Sequence, residues 1–113
     1  DDYLEGNGGD DLLEGGQGSD RLVGCLGDDT LIGGEGQDNF VLQRRRGVDV
    51  ITDFLPGEDF LELSGGLRFS QLTIAQGTGE NSSDTLISHR RGGDLIAVLS
   101  DVDASTIAVY DFI

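Results

Sequence analysis

The fold of this chain is decided by residues 6–41, which read GNGGDDLLE, GGQGSDRLV, GCLGDDTLI and GGEGQDNFV when they are divided into segments of nine. Glycine fills the first and fourth places of every segment, aspartate fills the sixth, and a large apolar residue fills the eighth. A shorter piece with the same pattern, DDYLE, precedes them at residues 1–5. Units held in strict phase indicate a repeat architecture, because an irregular acidic sequence does not keep such a register.

Each unit combines a turn with a short strand. The six residues that end at aspartate contain glycines, which permit positive φ angles and close approach of neighbouring backbones. The next three residues are polar, apolar and variable, as expected for a strand whose middle side chain faces a core. Two units then make one 18-residue coil of a flattened solenoid. The sequence therefore predicts an all-β fold that begins with a parallel β-roll.

This coil stacks the sixth-place aspartates in two columns. One side carries Asp2, Asp20 and Asp38, and the other carries Asp11 and Asp29. Carboxylates one strand spacing apart, about 4.8 Å, repel each other unless a cation lies between them. Ligands that are all carboxylate or carbonyl oxygens select a hard cation, and flexible glycine loops suit calcium better than octahedral magnesium. Calcium is therefore the predicted cofactor.

These residues resemble the RTX, or hemolysin-type, calcium-binding nonapeptide repeats, which form a β-roll in the C-terminal domain of secreted bacterial proteins. The resemblance covers residues 1–41 closely. It implies that each ion takes the second and fourth carbonyls and the aspartate of one loop. The loop eighteen residues later contributes its first and third carbonyls and its aspartate. About three to five calcium ions are implied in total.

Carried onto this sequence, the resemblance implies four sites. The first consists of Asn7, Gly9, Asp11, Gly24, Leu26 and Asp29. The second consists of Gly16, Gly18, Asp20, Gly33, Glu35 and Asp38. A third, expected to be weak, uses Asp2, Gly15, Gln17 and Asp20. The fourth follows a two-residue insertion and consists of Cys25, Gly27, Asp29, Arg44, Arg46 and Asp49. A further ion at Asp38, with Asp53 or Asp59, stays open.

Beyond residue 53 the nine-residue phase is lost. The sequence predicts two units, a calcium-binding β-roll over residues 1–53 and a small antiparallel β cap over residues 54–113, since a repeat array needs a cap. Residues 91–94, Arg-Gly-Gly-Asp, read as a hairpin connection. The predicted cap strands are Asp59–Ser64, Gln71–Ala75, Thr85–Ser88, Leu95–Leu99 and Thr106–Tyr110. The predicted core column of the roll is Leu4, Leu13, Leu22, Leu31, Phe40 and Ile51.

Composition excludes several classes of protein. The 113 residues contain 22 acidic side chains against seven arginines and no lysine, and this net charge of −15 excludes a nucleic-acid binder. No apolar run approaches the roughly 18 residues of a transmembrane segment, and no signal peptide is expected at the start. The one histidine, His89, is predicted on the surface of a strand with no nucleophile beside it, so no enzyme is expected. Cys25 is expected to be an incidental free thiol.

Two functions of different classes stay open. The first is a calcium-binding module that folds outside the cell and supports type I secretion of a larger protein. Its partners would be an upstream domain of the same polypeptide and the type I secretion apparatus, because residues 110–113 resemble the acidic-then-apolar ending of such secretion signals. The second is a calcium-dependent module that binds glycans or proteins at the cell surface. Both place the chain outside the cell, either secreted or at the cell surface.

Two charged groups of residues have competing interpretations. The run Arg44–Arg46 either binds an anionic glycan or offsets the neighbouring carboxylates. The fifth-place aspartates are expected to be surface charge and not ligands. They are Asp1, Asp10 and Asp28.

Overall fold

The computed structural model describes residues 2–44 and 46–113, so the predictions for Asp1 and Arg45 lie outside the described residues. The strands are β1 (Tyr3–Glu5), β2 (Leu12–Glu14), β3 (Arg21–Val23), β4 (Thr30–Ile32), β5 (Asn39–Leu42), β6 (Asp49–Ile51), β7 (Phe60–Leu63), β8 (Leu72–Gln76), β9 (Thr85–His89) and β10 (Leu95–Leu99). Single 3-10 turns lie at Phe69–Gln71, Gly79–Asn81, Ala104–Thr106 and Val109–Asp111. In the described part of the chain, no helix is long and apolar enough to cross a membrane.

The strands form two sheets around one apolar core. The first sheet has the order β1-β3-β5-β7 and is parallel throughout. The second has the order β2-β4-β6-β10-β9-β8, parallel as far as β10 and antiparallel beyond it. Successive strands from β1 to β7 alternate between the sheets, as the coil predicts. The fold is therefore the predicted all-β parallel roll with an antiparallel end.

The eighth-place residues form the predicted apolar column. Leu4 pairs with Leu22 and Leu22 with Phe40, so the same place of each unit stacks on the next. Leu22, Phe40 and their counterparts Leu31 and Ile51 on the other sheet are fully buried. Burial of a side chain of this size contributes about 1.5–3 kcal/mol. The column joins the two sheets and fixes the strand register, because a slip of one residue would expose every member.

The parallel roll extends one strand beyond the predicted limit. Strand β7 pairs in parallel with β5, and Leu61 is fully buried in the same core. The Asp38 N–H donates to Asp59 Oδ1 at 3.0 Å, which places Asp59 next in the column. The nine-residue repeat does not predict this strand, because Asp59 follows Asp38 by 21 residues and not by 18. The division of the chain at residue 53 into two units stays a prediction.

Strand β10 connects the cap to the roll. It pairs in parallel with β6, for example Val98 with Val50, and antiparallel with β9 on its other edge. The hairpin connection predicted at residues 91–94 joins β9 to β10. The cap thus continues the second sheet of the roll and covers the end of the array.

The predicted strand Thr106–Tyr110 is wrong, because 3-10 turns occupy this region. Asp103 accepts hydrogen bonds from the backbone N–H and the hydroxyl of Ser105, at 3.0 and 2.8 Å. Asp111 accepts the N–H of Ala108 at 2.9 Å. Such local bonds from side chain to backbone favour turns over strands, and they override the β propensity of the valine, isoleucine and tyrosine here.

The prediction of a surface position for His89 is also wrong. His89 lies in a strand, but only 5% of it is exposed. It belongs to the inward face of β9 together with Thr85 and Ile87, which are fully buried. The period of two within the strand therefore decides its burial, and the polar neighbours in the sequence conceal that period.

The last three residues contact the rest of the fold, although the side chain of Ile113 stays exposed. Leu61 and Phe112 form a parallel bridge, and the Ile113 N–H donates to the Leu61 carbonyl at 2.9 Å. The ring of Phe112 contacts Phe69 edge to face at 4.9 Å between centroids. The buried Asp111 carboxylate accepts the N–H of Gly57 at 3.1 Å. The C-terminal segment thus lies along the outer edge of β7.

Candidate metal sites

The sixth-place aspartates lie in the two predicted columns, and hydrogen bonds connect each to the next. Asp2 N–H donates to Asp20 Oδ1 at 2.8 Å, and Asp20 N–H donates to Asp38 Oδ1 at 2.9 Å. On the other side, Asp11 N–H donates to Asp29 Oδ1 at 2.8 Å. Asp29 N–H donates in turn to Asp49 Oδ1 at 3.3 Å. One oxygen of each acceptor carboxylate is therefore used to join successive coils.

The second carboxylate oxygen is the unusual feature of these columns. In the described part of the chain, four side-chain oxygens are buried without a hydrogen-bond partner, and all four are aspartate Oδ2 atoms in the sixth place. They belong to Asp11, Asp20, Asp29 and Asp38. A buried polar atom without a partner costs about 1–3 kcal/mol, and more when it is charged. One such atom in every complete repeat indicates a ligand position for a cation.

Each first-place glycine leaves open the space that these oxygens face. A Cβ atom at Gly6 would lie 2.8 Å from Asp11 Oδ2 and 2.7 Å from the Gly24 carbonyl oxygen. At Gly15 the corresponding distances are 2.6 Å to Asp20 Oδ2 and 2.7 Å to the Gly33 carbonyl oxygen. A carboxylate oxygen and a carbonyl from the next coil thus converge on one point. Calcium, with oxygen ligands at about 2.3–2.6 Å, fits such a convergence of oxygens.

The second and fourth carbonyls of a loop point toward the following coil. A Cβ atom at Gly34 would collide with the Gly16 carbonyl oxygen, and one at Gly27 would collide with the Gly9 carbonyl oxygen. The second place has positive φ even where it is not glycine, with φ 68° at Cys25. This left-handed backbone, which disfavours ordinary side chains, orients the carbonyls outward from their own loop.

The other predicted carbonyl ligands occupy places in their loops that are equivalent to those just described. Asn7 O lies against the next loop, where it accepts the Leu26 N–H at 2.9 Å. In the fourth predicted site, Arg46 O accepts the Gly27 N–H at 2.9 Å. Across residues 2–44 and 46–113, no three His, Cys, Asp or Glu side chains cluster closely enough to hold a metal alone. A cation in these columns would therefore need main-chain carbonyls. The predicted carbonyl ligands placed only by register are Gly15, Gln17, Cys25, Leu26, Glu35 and Arg44.

Asp53 and Asp59 close the loops at the end of the roll. The carboxylate of Asp59 accepts N–H groups from Asp38 and Leu55, both at 3.0 Å. That of Asp53 accepts the N–H groups of Gly33 and Gly34 at 2.9 and 2.8 Å. Both oxygens of each side chain thus have backbone donors, which distinguishes them from the repeat aspartates.

Sequence reasoning missed a second ladder formed by the fifth-place aspartates. Asp28 N–H donates to Asp10 Oδ1, and Val48 N–H donates to Asp28 Oδ1, both at 2.9 Å. The exact repetition of aspartate at residues 10 and 28 was the available signal. These exposed carboxylates join successive loops from the outside, so they have a structural role beyond surface charge.

The repeat geometry agrees with the comparisons to known proteins. The family model of the RTX calcium-binding nonapeptide repeat, which spans four copies, matches residues 1–24 and 14–42. Residues 1–42 thus match the RTX calcium-binding nonapeptide repeat. A search of curated protein sequences found no match.

Two solved structures align with nearly the whole chain. One is the solution structure of the AlgE6R3 subunit from the Azotobacter vinelandii mannuronan C5-epimerase, with a TM-score of 0.65 and 25% identity over 99% of this chain and 77% of that one. The other is the AlgE6R2 subunit of the same enzyme, with a TM-score of 0.45 and 21% identity over 98% of this chain and 90% of that one. The first similarity extends the shared fold beyond the RTX repeats to the cap.

Burial raises the pKa of several carboxylates in the two aspartate columns. Burial raises the pKa of Asp38 to about 6, with smaller contributions from the nearby carboxylates of Asp59 and Asp20. Burial likewise raises the pKa of Asp49 to about 7, with a contribution from the charge of Asp29. The pKa of Asp59 is also raised, mainly by burial. These shifts follow mainly from burial of the stacked carboxylates, with a smaller contribution from their mutual repulsion.

Acidification should therefore favour the fold when calcium is removed. The aspartate pKa is about 3.9 in an unfolded chain, so the folded chain binds protons more tightly, and its stability falls as the pH rises through 6 and 7. In chelator, the β-sheet circular dichroism signal at pH 5 should exceed that at pH 8. The double variant Asp38→Asn, Asp49→Asn should reduce this dependence, and the exposed Asp101→Asn should not. A signal that grows with pH in chelator would contradict the account.

Sharing of aspartates between ions can be tested by stoichiometry. Asp20 is bonded to Asp2 on one side and Asp38 on the other, whereas Asp2 contacts one neighbour. Asp20→Asn should lower the number of bound calcium ions by up to two and broaden the calcium-induced folding transition. Asp2→Asn should remove one weak ion at most. Calorimetric titration of both variants beside the parent measures this, and equal losses would rule out shared ligands.

Proposed function

We propose that this chain is a calcium-dependent folding module of a larger secreted protein. The observation that carries the proposal is the set of four buried aspartate oxygens without partners, one in each complete RTX repeat. Uncompensated, these charges oppose the stacking of coils in a chain of net charge −15. Bound cations would convert the same oxygens into links between coils, so the free energy of calcium binding becomes free energy of folding.

We assign the ions to the four ligand sets described for the sequence. The strongest support is for the sets that contain Asp11 with Gly24 and Asp20 with Gly33, because these oxygen pairs converge on one point. The set with Asp29 and Asp49 is supported by the hydrogen bond between them. The set at Asp2 has fewer carbonyl partners and should bind most weakly. We expect about three to five ions in all.

The proposed cellular setting follows from the strength of such sites. Extracellular calcium modules bind with dissociation constants of about 10⁻⁴–10⁻³ M, so the module would stay unfolded at low cytosolic calcium and fold after export. The chain would then work outside the cell or at its surface, attached to an upstream domain. The matched solution structure, a subunit of an epimerase, supports a role as one module of a larger protein.

The proposal gives the module a binding role and no catalytic one. Its histidine, His89, is buried, and Nδ1 of the ring lies 3.1 Å from the backbone nitrogen of Arg91. The ring thus supports a hairpin turn. Catalysis by the parent protein would be carried by another domain.

Removal of calcium tests the folding role. At pH 8 the chain in chelator should lose its β-sheet circular dichroism signal, and about 10 mM calcium should restore it, whereas magnesium at the same concentration should not. Asp29→Asn should raise the calcium concentration needed, because it removes a charge from two predicted sites. The exposed Asp10→Asn keeps the outer hydrogen-bond geometry and should shift it little. An unchanged spectrum after verified metal removal would falsify the proposal.

Export can be tested separately from folding. We propose that residues 110–113 serve as a type I secretion signal that is read in the unfolded chain and becomes packed against β7 afterwards. Deletion of residues 111–113 should sharply reduce export of the parent protein. Phe69→Ala loosens the same packing without altering the signal and should export normally. Equal export by the deletion and the parent, or equal loss in both variants, would contradict a sequence-specific signal.

A further inference from the structure

Four of the seven arginines line one groove at the junction of roll and cap. Its walls are Arg44, Arg68, Ser70, Gln71, His89, Arg90 and Arg91, around a volume of about 570 Å³. The described lining contains no carboxylate, although the chain has 22 acidic residues. This groove is therefore a concentrated positive surface on a strongly acidic protein.

Most of this positive charge is uncompensated. The guanidinium of Arg44 binds the carboxylate of Asp94 through two bonds of 2.9 and 3.1 Å, and this contact lowers the pKa of Asp94. Arg90 donates to the Ser70 carbonyl at 3.3 Å. Within the described residues, no carboxylate forms an ion pair with Arg68, Arg90 or Arg91. Three cationic side chains are therefore available to a ligand.

The backbone that carries these arginines is held in place. Gln71 accepts the Arg68 N–H through its side chain at 2.9 Å and the Arg90 N–H through its carbonyl at 2.8 Å. The Arg91 carbonyl accepts a bond from the Arg44 side chain at 3.2 Å. Segments far apart in the sequence are thus fixed around one groove, which lowers the ordering cost of binding.

We propose that this groove binds an acidic oligosaccharide through its carboxylate or sulfate groups. Guanidinium groups match planar oxyanions with paired hydrogen bonds. The volume is in the range of small-molecule sites and exceeds the needs of a single inorganic ion. The hydroxyl of Ser70 and the amide of Gln71 suit a ligand rich in hydroxyl groups, and the described lining has no large apolar side chain to hold a lipid tail or an apolar peptide anchor.

Calcium should control this groove through Arg44. Its carbonyl belongs to the fourth predicted ion site, while its side chain connects Asp94 and Arg91 at the groove wall. An ion at that site would fix the residue and would also reduce the net charge that repels an anion. This coupling rests on the proposed calcium-dependent folding, whereas the groove itself is defined by the cap.

Calorimetric titration of the full chain, saturated with calcium, tests the proposal. The probes are a tetrasaccharide of uronic acids, a sulfated tetrasaccharide, a neutral tetrasaccharide, an acidic tetrapeptide and inorganic phosphate. An acidic tetrasaccharide should bind and the neutral one should not, and binding should weaken as salt is raised. Arg68→Gln and Arg91→Gln should each weaken binding about tenfold, since each removes charge-assisted hydrogen bonds. Arg21→Gln makes the same charge change away from the groove and should alter affinity less than twofold.

The outcomes separate this proposal from calcium-dependent folding. Loss of binding in chelator together with loss of the β-sheet signal supports the coupling. Binding that is unaffected by both groove variants, or equal binding of the neutral saccharide, would overturn the groove as an acidic-saccharide site. Equal affinity for inorganic phosphate, or for an acidic tetrapeptide, would overturn the saccharide as ligand. Circular dichroism of the same samples reports folding independently, so either proposal can fail alone.

Discussion

The structure depends on how it compensates the repulsion between aspartates that the coil places directly above one another. Each coil puts a carboxylate one strand spacing from the next, with one oxygen bonded to a backbone N–H and the other buried without a partner. Hydrogen bonds satisfy half of each carboxylate, and a cation is needed for the other half. The apolar column alone does not remove this repulsion. The stability of the roll therefore depends on its ion sites.

The glycines and the cap both serve these columns. First-place glycines leave room for the carboxylate oxygen, and second- and fourth-place residues take positive φ and direct carbonyls toward the next coil. At the far end, Asp53 and Asp59 accept hydrogen bonds from backbone N–H groups of the last coil, and β10 extends the sheet where the repeats stop. The same sequence features therefore determine both the shape of the roll and the position of its oxygens.

The sequence predicted the repeat half of the molecule in detail, because period nine relates each residue to its neighbour in space by simple register. Leu22 over Leu4 and Asp38 over Asp20 both follow from counting. Prediction failed where local side-chain hydrogen bonds override strand propensity and where the repeat spacing is interrupted. Capping by Asp103 replaced a strand with turns, and an insertion before Asp59 concealed a further roll strand. The arginine groove depends on the packing of the cap, and the nine-residue repeat does not extend to that part of the chain.

The central claim is that cations lie between the stacked RTX aspartates, and anomalous diffraction from crystals grown with calcium tests it most directly. Peaks are expected beside the first-place glycines, between an aspartate Oδ2 and a carbonyl of the next coil, such as Asp11 with Gly24 and Asp20 with Gly33. Six oxygen ligands at about 2.3–2.6 Å should surround the ions in these two sites. Ions found only on the outer Asp10 and Asp28 carboxylates, or an ordered roll with no anomalous peaks, would contradict the account.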